Sequence, residues 1–185
     1  MRLTLLLCAA AALGQAQSPP SSAGLEPSWD IAVILEEIGK NAAQLIPALG
    51  QFDTASWVAK GASETYIAQL QSVRDQARGI AGDAKALAKN PERLSAAMEL
   101  FFRIEGMERM MFSIEDASRR YQSPQAAKNL ESLYAEQGAN RERFRRYIVN
   151  LAAERERQFE VMDKEAQRCR ATLMASPPPA TGRKK

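Results

Sequence analysis

The sequence predicts an all-α protein: an antiparallel helical bundle of about four to five helices with coiled-coil-like packing, set behind a cleaved signal peptide. Three observations predict it. The chain opens on an export-type leader, apolar residues then recur in alternating steps of four and three, and no stretch shows the two-residue alternation of a half-buried strand.

The leader, "MRLTLLLCAAAALGQAQ", combines Arg2, an apolar run from Leu3 to Leu13, and small residues at Gly14 and Ala16. Cleavage is expected after Ala16, with export to the periplasm or the exterior. Cys8 is a poor lipid acceptor, because Leu7 stands before it where a small residue is expected and the apolar run continues past it. The run is too short to span a bilayer, and no later stretch approaches the roughly 18 apolar residues that a membrane helix needs. Residues 17–27, "QSPPSSAGLEP", read as a flexible lead-in.

The bundle domain is expected over 28–175. Its first helix carries Ile31, Leu35, Ile38, Ala42, Leu45, Leu49 and Phe52 on one stripe. Ser28 can cap its start, and Pro47 should kink or end it, since proline removes a backbone donor and crowds the carbonyl four residues back. A second helix is expected from Asp53 or Thr54, with Trp57 early and Tyr66, Leu70, Val73, Ala77, Ile80, Ala84 and Leu87 following in register. Asn90 as cap and Pro91 at the first helical position should open a third, over 91–121, facing inward with Ala97, Leu100, Phe101, Ile104, Met107, Met111 and Ile114.

Ser123 and Pro124 open the next helix in the same way, through Ala126, Leu130 and Leu133. The pattern meets Gly138 and resumes at Phe144, Ile148 and Leu151. An unbroken helix over 124–174 would run about 75 Å against about 45 Å for its predecessor, so its half beyond residue 153 would overhang. A break near Gly138 is therefore expected, with a long helix from 140 to 174. Phe159, Met162, Ala166, Cys169 and Leu173 prolong the stripe, which places Cys169 in the core. Residues 176–185, "SPPPATGRKK", form a proline-rich basic tail expected to be disordered.

Charge and composition exclude several classes. Of 25 lysines and arginines, Arg2 belongs to the leader and Arg183, Lys184 and Lys185 to the tail, which leaves the rest one short of the 22 acidic residues. The basic character thus resides in the tail, which allows weak surface contact but gives no face for nucleic acid. The chain has no histidine. That removes Glu-x-x-His di-metal sites, histidine-ligated haem, and Ser-His-Asp or Cys-His catalysis. With the leader gone, one cysteine remains, so neither an intramolecular disulfide nor a cysteine zinc site can form.

Three features stay open. Met107, Met110 and Met111 cluster as soft thioethers that suit Cu(I), or else fill the core. Arg155 falls inside the apolar stripe, where a guanidinium must find a carboxylate, reach water, or line an anion pocket between helices. Cys169 is either core or, if the last helix overhangs, an intermolecular disulfide between two copies; Arg168 and Arg170 beside it would favour the thiolate at an open site. The runs "RERFRR" and "ERERQ" mix signs and read as solvated faces with local ion pairs, and the adjacent Glu36 and Glu37 diverge by about 100° on a helix. No cofactor and no catalytic residue is assigned. The expected function is non-enzymatic, through protein binding or self-association. The alternative is a periplasmic small-molecule or copper-binding protein, or a histidine-free helical enzyme with an arginine pocket at Arg155.

Overall fold

The four-three series fold as helices, and where an expected boundary moved, a turn explains the shift. A computed structural model describes residues 28–175; the leader (1–16), the lead-in (17–27) and the tail (176–185) lie outside the described residues, as do the side chain of Ser28 and its expected capping role. Six helices follow in order: α1 (Ser28–Leu49), α2 (Thr54–Ala59), α3 (Thr65–Ala88), α4 (Leu94–Tyr121), α5 (Pro124–Ala135) and α6 (Gly138–Ala175). The described residues include no strand, and no described helix is long and apolar enough to cross a membrane.

α1 buries Ile31, Leu35, Ile38, Ala42, Leu45 and Leu49, and it ends two residues after Pro47. The Gly50 amide donates to the Ile46 carbonyl at 3.1 Å, and Arg74 donates to the Leu49 carbonyl at 2.8 Å, so the terminal carbonyls of α1 are satisfied in part from α3.

The second expected helix is two. Asp53 caps α2 by accepting from the Ser56 amide, and after the six residues Thr54–Ala59 the helix closes at Gly61 (φ 94°), in the left-handed region that glycine enters without a Cβ penalty. The Ala62 amide bonds the Trp57 carbonyl and the Gly61 amide the Val58 carbonyl, the paired bonds of a Schellman motif, and Ala62 and Trp57 are both buried. A glycine stop two residues before "SET" was the signal for this break.

The start of α4 is also displaced. Asn90 and Pro91 form a turn, with the Arg93 amide bonding the Asn90 carbonyl at 3.4 Å, and the helix begins at Leu94. Proline suits the second position of such a turn as well as the first turn of a helix, so the Asn-Pro pair is ambiguous. Ser123 behaves as expected: its side chain accepts from the Ala126 amide, with Pro124 at the first helical position. The break near Gly138 is present too, between Ala135 and Gly138.

Packing is led by α1 on α3 and α3 on α4, with α5 against α4 and α1, and the first half of α6 against α1 and α4. Gly39 permits the α1–α3 approach, since a Cβ there would stand 3.3 Å from the Ala84 Cβ and 3.4 Å from the Ala81 carbonyl oxygen. Between α3 and α4, Ser113 bonds Gln69 and Arg103 lies 2.9 Å from Asp83, pairing rising numbers on one helix with falling numbers on the other. At one end Gln122 joins three segments: its Oε1 accepts from the Trp57 indole and the Asp53 amide, and its Nε2 donates to the Gln51 carbonyl. Buried Asn41 donates to the Leu133 carbonyl and fixes α1 to α5.

Candidate functional site

At 100° per residue, Phe144, Ile148, Leu151, Arg155, Phe159, Met162, Ala166, Cys169 and Leu173 all fall within a sector of about 80° on α6. One continuous stripe therefore runs the length of the helix. Its first half is core: Phe144 and Leu151 are each 1% exposed. Its second half is not: Phe159 is 67% exposed and Leu173 75%. Every residue from Glu156 to Ala175 is exposed.

This corrects the expectation for Cys169, which is an exposed free thiol, and for Phe159, Met162, Ala166 and Leu173 with it. The reason is length. α5 occupies the C-terminal part of α4, so α6 is already level with the start of α4 at Arg155, beside Glu92, and its last 20 residues run about 30 Å past what packs against it. The distal half is sustained by its own i,i+3 and i,i+4 contacts, among them Arg168 with Glu165 at 2.8 Å, Lys164 with Glu160 at 4.0 Å, and Gln167 donating to Asp163 at 2.9 Å.

Arg155 sits at the boundary between the halves. Its Nη2 lies 3.3 Å from the Glu92 carboxylate and 3.2 Å from the Glu92 carbonyl, and its Nη1 donates to Gln158 at 2.8 Å. The guanidinium thus meets a carboxylate at the α3–α4 turn in a partly exposed pair and ties α6 to the end of the bundle. Beside it, Leu94, Ala152, Arg155, Glu156, Phe159 and Glu160 line an open groove of about 440 Å³. Two carboxylates and an arginine already paired make it a poor seat for an anion, whereas Leu94, Ala152 and Phe159 give it an apolar floor.

The methionines lie elsewhere. Met107 and Met111 are buried within the core and Met110 packs partly buried against it, so on α4 they fill space between helices. Among the described residues, no three or more Asp, Glu or Cys side chains gather where they could hold a metal ion.

Two polar features escaped the sequence reading. Glu115 is buried on α4, and burial, reinforced by the Glu131 charge and opposed by Arg119, raises its carboxyl to about 7. The signal was available, because Glu115 stands four residues after Met111 and so near the apolar stripe. Arg141, read as part of a solvated run, stacks 3.6 Å from the Tyr134 ring centre and donates to the Tyr134 carbonyl at 2.7 Å. Burial pushes the Tyr134 phenol up despite that cation.

The fold and site define an all-helical protein with a closed core and one helix whose apolar face continues past it. Comparison with known protein families, with curated proteins and with solved structures finds no match.

Proposed function

We propose that the chain is an exported, non-enzymatic helical-bundle protein that acts by self-association through the distal half of α6. The observation that carries this reading is the stripe itself: the residues that bury the first half of α6 recur in phase through Leu173 with nothing over them. Contiguous apolar surface on a folded protein marks an interaction site. In this reading residues 1–16 are removed on export, the helices pack antiparallel in coiled-coil fashion, and the basic tail adds at most weak surface contact. The Arg155–Glu92 pair takes away the main support for a ligand pocket at Arg155.

The test is sedimentation of residues 17–185 over a concentration series, alongside the double variant F159E/L173E. The parent chain is expected to dimerise reversibly, and the variant to stay monomeric at every concentration, with the helical content and melting temperature that the parent chain shows at high dilution. A parent chain that remains monomeric at its highest attainable concentration contradicts the reading.

A further inference from the structure

The exposed stripe has a geometry that one occupant fits. We infer that a second copy of this chain covers it, with the two α6 distal halves antiparallel and in the register that sets Phe159 against Cys169 of the second copy. This rests on the self-association reading above and fixes its partner surface.

Direction follows from where the bundle lies. The stripe of the distal half points to the same side as Phe144 and Leu151, the side on which α1 and α4 pack against α6. In a parallel pair, residues 138–155 of the second copy would run through the space that α1 and α4 already fill. In an antiparallel pair each bundle lies beyond the other's C-terminal end, and the overhangs overlap without obstruction.

Register follows from side-chain size and from the groove. Steps of four and three from Arg155 through Leu173 place six residues in core positions of a coiled coil. The overlap that covers the whole overhang sets residue 155 level with 173 of the second copy, 159 with 169, and 162 with 166. Each apolar layer then joins a large residue to a small one, Phe159 to cysteine and Met162 to alanine, as interdigitating cores require. Leu173 of the second copy arrives at Arg155, at the mouth of the groove floored by Leu94, Ala152 and Phe159, whose 440 Å³ accepts it.

Flanking charges complete the fit. Glu156 stands beside Arg170 of the second copy, twice by symmetry. The two-fold axis also brings Asp163 and Glu165 near their own copies; Glu165 is already held by Arg168 at 2.8 Å and Asp163 by Gln167 at 2.9 Å, in solvent. About half of the overhang's residues face the second copy, so together with the groove the interface totals roughly 1,000–1,200 Å², at the small end for specific association. A reversible, micromolar dimer is expected.

In this register the two Cys169 thiols are about 15 Å apart along the axis, so the native cysteine does not bridge. Mild oxidation of the parent chain, of F159C and of F159C/C169S, resolved on non-reducing gels, tests the arrangement; position 159 is exposed, so all three are expected to fold. The expected result is a reducible dimer for F159C alone, formed between the introduced thiol and Cys169 of the second copy. A parent chain that bridges through Cys169, or an F159C/C169S that bridges as well as F159C, overturns the antiparallel register while leaving self-association intact. A parent chain that dimerises in sedimentation while F159C gives no cross-link overturns it also. A parent chain monomeric in sedimentation ends the self-association reading itself.

Discussion

The two halves of α6 carry the same pattern and meet different fates. From Gly138 to Arg155 the stripe is sealed by α1 and α4; from Glu156 to Ala175 it is bare. Periodicity thus reports which residues share a face, while the length of the neighbouring helices decides whether that face is covered. Composition differs between the halves in a way that fits: the covered half supplies Phe144, Tyr147 and Leu151, and the bare half dilutes Phe159, Met162 and Leu173 with Ala166 and Cys169 among self-paired charges. A short isolated helix is marginal in water, so the distal half relies on those local contacts until something packs on it.

The sharpest way to break the comparison is to truncate matched residues. F144A should destabilise the chain by about 3–5 kcal/mol, because a fully buried ring leaves a cavity, whereas F159A should fall within about 0.5 kcal/mol in the dilute chain. Urea unfolding of both variants at low concentration measures the difference, and equal costs would mean that the distal half is packed after all. Next in size is G39V, which forces side-chain atoms into the Ala81–Ala84 backbone of α3 and should cost about 2–3 kcal/mol in the same assay.

Glu115 gives a pH test of the core that the distal half should not share. Its folded pKa of about 7 lies above the unfolded carboxylate value, so the folded chain binds more protons between those limits. Stability should therefore fall as pH rises from about 4.5 to 7 and level off above, by on the order of 3 kcal/mol from this residue. E115Q should flatten that slope in thermal melts at pH 5, 6, 7 and 8. A parent chain with no greater pH dependence than E115Q would remove Glu115 from the buried interior. The smallest effect is expected from R155M, where a partly exposed ion pair at the bundle's end contributes less than about 1 kcal/mol; denaturant titration should barely separate it from the parent chain.

Much of the fold was legible because helix faces are. The stripes of α1, α3 and α4 and the Ser123–Pro124 start were read correctly, since each depends on local spacing or local capping. The Gly61 stop was missed although it left a trace, since Trp57 stands nine residues and about 180° from Tyr66, out of phase with the series that follows, and the Asn90–Pro91 start was three residues early because the same dipeptide suits a turn. The site was legible in its residues but not in its state. Cys169, Phe159, Met162 and Leu173 were placed on one face correctly and in the core wrongly, because single-chain periodicity holds no record of where the neighbouring helices stop. Glu115 and the Arg141–Tyr134 stack depend on three-dimensional neighbours that spacing only hints at.

Hydrogen exchange along α6, read at several protein concentrations, addresses the difference between its halves most directly. At high dilution, amides of 142–155 should be protected to near the global stability and those of 160–175 should exchange almost freely, with protection spreading through the distal half as concentration rises. Strong protection of 160–175 at the lowest concentration, or protection there that concentration never changes, would contradict an overhang covered by a second copy.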